Sequence, residues 1–346
     1  MRGSDLAMHG NGKIPVTVLS GFLGSGKTSL LGKALRQGML RNTAVIVNEF
    51  GKIGLDHHLL SRVEERTVLL GGGCVCCSTR EDLVAAFLEL LHKASHDGRR
   101  PDRVVIETTG LADPSPIWFT VLRHPVLQHH FDVGRIVVTV DAVNGLMHLD
   151  RHAESIKQAA VADLIVLTKT DIASEAAIRR LESRLRAINP AAEMIRAKPD
   201  DPEVSGIFSD RAIRPSSRAA LEPYAAVSAS PHSGGTRSLS VRFDRPLDWN
   251  AFGLWLSMLL HARGVDILRV KGHLDLGGDG PVLLNGVQHI IHPPEHLDAW
   301  PNEERCSKIV FIMNEIEPER VMDSLIAFQH VLGAAPERLA NAEFEC

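Results

Sequence analysis

Gly21-Phe22-Leu23-Gly24-Ser25-Gly26-Lys27-Thr28 fits the pattern G-x-x-x-x-G-K-S/T. The preceding Ile14-Pro15-Val16-Thr17-Val18-Leu19-Ser20 reads as a buried strand, and the following Ser29-Leu30-Leu31-Gly32-Lys33-Ala34-Leu35 as a helix. Strand, glycine-rich loop and helix, in that order, form the context in which this pattern holds nucleotide phosphates. Glycines let the backbone turn tightly and bring its N–H groups against phosphate oxygens. The new helix adds its positive end. Lys27 is expected to reach the β- and γ-phosphates as a point charge, and the Thr28 hydroxyl to bind Mg²⁺. Gly21, Gly24, Ser25, Gly26, Lys27, Thr28 and Ser29 are therefore the expected phosphate site of a P-loop nucleoside triphosphatase. A glycine-rich turn with a stray lysine is the alternative.

Outward from this loop, strands and helices alternate to about residue 195. Strands are expected at 43–48, 66–70, 103–107, 135–140 and 164–167, and helices at 80–95 and 174–188. Such alternation predicts an α/β fold: a mostly parallel sheet with helices on both faces. Ligands then sit beyond the carboxyl ends of the strands. Residues 198–235 change character, with Asp200-Asp201-Pro202, Pro215-Ser216-Ser217 and Ser233-Gly234-Gly235 reading as linker or as an extension of the first domain. From 236 to 332 a second rhythm predicts a smaller C-terminal α+β domain: strands at 238–243, 267–276, 282–291 and 308–313, helices at 249–264 and 318–330. Residues 1–13 and 333–346 read as tails.

A chain of 346 residues suits roughly two domains. At 44% apolar and 23% charged residues it can bury full cores. A net charge of −4 gives no general affinity for nucleic acid. No apolar run approaches a membrane span, and the first residues form no apolar signal region, so a cytoplasmic protein is expected. Five cysteines, three of them within four positions, do not make a disulfide framework.

Three further motifs bear on chemistry. Val104-Val105-Ile106-Glu107-Thr108-Thr109-Gly110 is an apolar strand ending in an acid. Glu107 there suits a second Mg²⁺ anchor or a residue that orients attacking water, and the Gly110 amide could sense the γ-phosphate. An acid that merely closes a strand is the alternative. Thr168-Lys169-Thr170-Asp171 resembles the N-K-x-D base-recognition element of GTPases. A carboxylate at Asp171 can accept from both N1–H and the 2-amino group of guanine, donors that adenine lacks. The Lys169 stem can pack over the base. Thr168 replaces the usual Asn, and its hydroxyl could bridge to the P-loop. The plainer reading makes Asp171 a helix N-cap. Ala226-Val227-Ser228-Ala229-Ser230 is a further candidate base-contacting loop.

Gly71-Gly72-Gly73-Cys74-Val75-Cys76-Cys77 is the discriminating feature. Three thiols at i, i+2 and i+3 suit a soft or borderline metal. A helix beginning near Thr79 would favour thiolate, the ligating form. With three thiolates at most, a fourth ligand must come from elsewhere, which suits a site that hands metal on. A redox-sensing cluster and buried small hydrophobes are the alternatives.

The order of P-loop, Val47-Asn48-Glu49-Phe50-Gly51, GGGCVCC, ETTG-Leu111-Ala112-Asp113-Pro114 and TKTD resembles the CobW-type metallochaperone GTPases over residues 14–171, and 236–332 resembles their C-terminal domain. The resemblance implies GTP and Mg²⁺ binding, slow GTP hydrolysis, and delivery of Zn²⁺ or Co²⁺ to a client protein. By position, Cys74, Cys76 and Cys77 would bind the metal. Glu49 would lie in the first switch, near Mg²⁺ or the carried metal, and Glu107 to Gly110 in the second. Lys52 stands where many members carry an acid; if that acid assists metal binding in them, either His57 or His58 substitutes here or the site is weaker. The resemblance leaves the oligomeric state open, a homodimer included. Two rivals remain: a P-loop kinase for a small molecule, and a redox or metal sensor with nucleotide as a structural ligand.

Overall fold

The computed structural model describes residues 12–38, 40, 42–48, 67–70, 79–98, 100–197, 207–208, 235–300 and 304–339. Contacts divide the chain into two compact units, Met1–Thr139 with Pro202–Ser209 and Val140–Asp201 with Asp210–Cys346. The division falls inside one strand.

The first unit is built on β1 (Ile14–Gly21), every residue of which is buried. It leads through the glycine loop into α1 (Lys27–Arg36). β2 (Thr43–Asn48), β3 (Thr67–Leu70), α2 (Thr79–Asp97) and β4 (Arg103–Glu107) follow. Next come α3 (Ser115–Arg123), the single turn α4 (Leu127–His130) and β5 (Phe131–Asp141). β1 runs parallel to β4, with Leu19 opposite Glu107, and to β5. β2 runs parallel to β3 and β4. Strands covered on both faces read as continuous apolar runs, as Val16-Thr17-Val18-Leu19 and Val104-Val105-Ile106 do.

The second unit continues through α5 (Gly145–Arg151), α6 (Ala153–Val161), β6 (Leu164–Thr168), α7 (Glu175–Ile188) and β7 (Glu193–Arg196). β6 and β7 are parallel. The strand order is β3-β2-β4-β1-β5-β6-β7. The α/β class expected from alternation is the one observed. The short helices α3, α5 and α6 were not read from the sequence, being too short for a clear period.

The C-terminal part of the second unit is an antiparallel sheet. It contains β8 (Thr236–Phe243), β9 (Ile267–Leu274), β10 (Val282–Val287), β11 (Ile290–Ile291), β12 (Glu295–His296), β13 (Ser307–Asn314) and β14 (Glu337–Arg338), with α8 (Trp249–Arg263) and α9 (Pro318–Leu332). The order is β11-β10-β9-β13-β8-β14, with β12 on β10. The strand expected at 282–291 is instead two, β10 and β11, folded on each other through Gln288, whose φ is 52°. β14 pairs with β8 beyond residue 332. Leu239, Val241, Phe243, Val270, Ile309 and Phe311 share one apolar core with Phe252, Trp255, Val321 and Leu325 of the helices. The intervening strand positions, Ser240, Arg242, Arg269, Lys271, His273 and Lys308, alternate to the other face, as a period of two requires. α6 packs against β9, and α7 against β8.

Candidate functional site

The phosphate loop is held by its own backbone and by β5. Gly21 has φ +139°, and a Cβ on it would lie 2.4 Å from the carbonyl and hydroxyl oxygens of Thr139. Only glycine fits so close to the neighbouring strand. The Ser25 amide donates to the Phe22 carbonyl at 3.1 Å, closing the turn. The Ser25 hydroxyl shares a hydrogen bond of 2.7 Å with the Thr139 hydroxyl, a contact with no sequence motif to announce it. Gly26 precedes α1 in the left-handed region. Lys27 folds back across the loop, its Nζ donating to the carbonyls of Gly21 at 2.8 Å and Phe22 at 3.2 Å. Ser29, in the first turn of α1, is exposed.

The end of β4 joins this loop. Thr28 Oγ1 donates to Glu107 Oε1 at 2.5 Å, and Glu107 is 4% exposed. The Thr108 amide donates to the Leu19 carbonyl at 2.9 Å and its hydroxyl to Ser20 Oγ at 3.0 Å, so the polar end of β4 is tied to β1. Gly110 lies directly on the loop: a Cβ there would meet the Leu23 backbone nitrogen at 2.6 Å and Cα at 2.7 Å. Asp113 then accepts from the Ser115 amide at 2.9 Å and hydroxyl at 2.7 Å, starting α3. Among the residues expected at the phosphate end, Lys27, Thr28, Glu107 and Gly110 are thus brought together. Hydroxyl and carboxylate oxygens at 2.5 Å form a hard donor set that suits Mg²⁺.

In the second unit the base-recognition candidate follows β6. Thr168 is buried; its hydroxyl donates to the Val140 carbonyl at 3.3 Å and its carbonyl accepts from the Ala142 amide at 2.9 Å. Lys169 has φ 57°, and its Nζ pairs with Asp141 Oδ2 at 2.7 Å. Asp141 also accepts from the amides of Val143 at 2.8 Å and Asn144 at 3.2 Å, and from Asn144 Nδ2 at 3.1 Å. Burial pushes the Asp141 carboxyl up, but the Lys169 ammonium and these amides outweigh it and hold it below its ordinary range. His148, on α5, is held below its ordinary value, by burial first. Asp171 is exposed and does not begin the helix. Ser174 does, its hydroxyl accepting from the Ala177 amide at 3.2 Å, so the plainer reading of Asp171 as N-cap is corrected.

The nucleotide-binding domain of CobW/HypB/UreG matches residues 15–196, more than half of the chain. The chain belongs to the CobW/HypB/UreG family. The cobalamin synthesis protein CobW C-terminal domain matches residues 236–329. The chain is 33% identical over 316 residues to the zinc chaperone YjiA of Escherichia coli, covering 89% of this chain and 96% of that one. It is 34% identical over 189 residues to the zinc-regulated GTPase metalloprotein activator 1 of Schizosaccharomyces pombe, covering 53% of this chain and 45% of that one. The crystal structure of Zn(II)-bound YjiA GTPase from E. coli superposes with a TM-score of 0.68 at 27% identity, over 91% of this chain and 99% of that one. As a member of this family the chain is a P-loop GTPase.

The CobW-type cysteine motif, Cys74, Cys76 and Cys77, lies outside the described residues, as do Glu49, Lys52, His57, His58 and the loop Ala226–Ser230. α2 begins at Thr79, just after the motif, as expected, and carries Glu81 and Asp82 in its first turn. Among the described residues no group of three or more His, Cys, Asp or Glu side chains could hold a metal ion. Cys306 is buried, which pushes its thiol up to about 11. His292 is pushed down to about 4, first by burial. Neither has the reactivity or exposure of a metal-transfer site. Thr139, and the pairing of the strand-end Asp141 with Lys169, are what motif reading missed. Thr139 and Asp141 both sit at the carboxyl end of β5, a place that marks Asp141 in the sequence as the polar end of an apolar strand but does not name its partner.

Proposed function

We propose that this CobW-family GTPase is a metallochaperone that binds a divalent transition metal and passes it to a client protein under control of its nucleotide. The observation that carries this reading is the coincidence of C-x-C-C at 74–77 with likeness along nearly the whole chain to a protein named as a zinc chaperone. Gly21, Gly24, Ser25, Gly26, Lys27, Thr28 and Ser29 bind the GTP phosphates. Thr28 and Glu107 hold Mg²⁺, which when bound neutralises developing phosphate charge. Glu107 also orients attacking water, and the Gly110 amide senses the γ-phosphate. Thr168, Lys169 and Asp171 bind guanine.

Cys74, Cys76 and Cys77 hold the carried metal, with Glu49 in the first switch as a candidate fourth ligand. Zn²⁺ is the first expectation and Co²⁺ the second, since thiolate-rich sites accept both. The cytoplasm is the compartment, because three crowded thiols stay reduced there. The cysteines fall between the two switch segments, Asn48–Gly51 and Glu107–Gly110. GTP orders both switches and shapes the thiolate site; hydrolysis releases them and frees the metal. Residues 14–197 form the GTPase domain, 198–235 a linker or extension, and 236–332 the C-terminal domain.

The test is a Co²⁺ titration of the reduced protein, followed by thiolate-to-metal charge-transfer absorption. It is run with Mg-GTP analogue, with Mg-GDP and without nucleotide, beside Cys76→Ser. Strong absorption that depends on the GTP analogue and disappears in the variant is expected. Equal absorption in all three states removes the nucleotide gate. No absorption in any state removes the chaperone reading.

A further inference from the structure

The segment that follows β6 is tied by an ion pair that joins Lys169, within the T-K-T-D motif, to Asp141 at the end of β5. Lys169 holds a left-handed backbone, φ 57°, a conformation that costs a non-glycine residue energy and persists only where the surroundings impose it. Its ammonium is fixed 2.7 Å from Asp141 Oδ2. Asp141 is itself 2% exposed and immobilised by the Val143 and Asn144 amides and the Asn144 side chain. The hydrogen bonds of Thr168 and Ala142 tie the two strand ends that carry the pair.

We propose that Asp141 is a positioning residue for nucleotide binding, tethering the Lys169 ammonium so that the lysine stem is already laid out to pack on the face of the purine. This rests on the reading of Lys169 and Asp171 as base-binding residues. A free lysine stem has wide rotamer freedom. A ligand that must order it loses affinity in doing so, and a stem ordered beforehand removes that loss. The tether leaves a signature in specificity. Packing on a ring face does not sense the 2-amino group, so loss of the tether weakens guanine and hypoxanthine nucleotides alike. The Asp171 carboxylate meets the base edge, so its loss changes their ratio.

The experiment measures GDP and IDP affinity calorimetrically in Mg²⁺, using the full chain. Wild type is compared with Asp141→Asn, Lys169→Met, the double variant and Asp171→Asn, with thermal unfolding of each recorded without nucleotide. Asp141→Asn, Lys169→Met and the double variant are each expected to lose about tenfold in affinity for both nucleotides. The GDP-to-IDP ratio should stay near wild type in Asp141→Asn, and the unfolding scan establishes that the variant is folded at the temperature of the titration. Three results overturn the proposal: wild-type affinity in Asp141→Asn, a double variant that loses the product of the two single losses, or a changed ratio in Asp141→Asn. An unchanged ratio in Asp171→Asn overturns the base-binding reading itself, and the proposal with it. If Asp141→Asn does not fold, Lys169→Met alone decides. It keeps an apolar stem and loses the tether, so wild-type affinity in that variant also overturns the proposal.

Discussion

Arg269 of β9 donates to the carboxylate of Asp163, which immediately precedes β6. Arg269 is 1% exposed and Asp163 7%. Lys271 approaches the same carboxylate at 3.5 Å. Asn189 stiffens the turn that presents Asp163, its Nδ2 donating to the carbonyls of Ala159, Ala160 and Ala162. The antiparallel sheet is thus pinned by a buried ion pair to the start of the strand whose far end carries Thr168. Taking two charges out of water is costly, and removing one partner leaves the other buried without compensation. Arg269→Met should therefore lower unfolding stability by about 3 kcal/mol, while Asp163→Leu combined with Arg269→Met should regain most of it. Denaturant unfolding of the single and double variants measures both. A double variant no better than the singles would mean that the pair itself contributes net stability.

Thr28 and Glu107 should act as a unit, being joined at 2.5 Å. Thr28→Ala and Glu107→Gln are each expected to lower kcat for GTP hydrolysis by about 100-fold, in line with the loss of one preorganised electrostatic group. Thr28→Ser, which keeps the hydroxyl, should stay near wild type. Steady-state phosphate release against Mg²⁺ concentration is the measurement. Retained turnover in Glu107→Gln would remove Glu107 from the catalytic set.

Gly110→Ala forces a methyl group to within 2.6 Å of the Leu23 backbone nitrogen, so the phosphate loop or the second switch must move. A displacement of about 1 Å at a reacting centre can cost on the order of 100-fold in rate. Turnover should fall by that order, with overall unfolding little changed. Wild-type kinetics in this variant would show that the switch does not need its close seat on the loop.

Asp171→Asn exchanges an acceptor for a donor at the residue proposed to meet the base edge. GTP affinity should fall by about 100-fold and XTP affinity should rise, because xanthine presents a carbonyl where guanine has its amino group. Competition binding with the two nucleotides checks this. An unchanged preference would place base selection elsewhere in the chain.

Acid should weaken the C-terminal sheet. His273 is 3% exposed and is pushed down to about 4, first by burial and then by the Lys308 charge, against the pull of Glu304. His292 is likewise pushed down to about 4 by burial and by Arg269, against Asp163. Both are neutral in the fold and become charged in the unfolded chain near pH 6.5. Between about pH 6.5 and 4 the unfolded state binds more protons, so stability is lost as pH falls through that window. Melting temperature should drop across it, and His273→Gln should flatten the drop. A profile identical to wild type would show that His273 does not titrate on unfolding.

The P-loop was legible because its chemistry is local. Glycines at set spacing, one lysine and one threonine between a strand and a helix all fall within eight residues of chain. Glu107 and Gly110 were legible as a strand end, but the reason Gly110 must be glycine was not. That reason is Leu23, far away in sequence, and only the pairing of β1 with β4 brings the two together. Asp171 and Ser174 are both residue types that can cap α7, and only backbone geometry gives the cap to Ser174.

What the sequence by itself determined was the α/β class, the order of motifs and the family they resemble. Apolar periodicity and motif spacing are properties of neighbouring residues, which a chain carries before it folds. What only the tertiary structure decided was which distant residues meet: Ser25 with Thr139, Thr28 with Glu107, Asp141 with Lys169, Asp163 with Arg269. Each of these pairs joins elements far apart in the chain. Burial then turns the contacts into energies, because a charge or hydroxyl taken out of water must find its partner inside the fold.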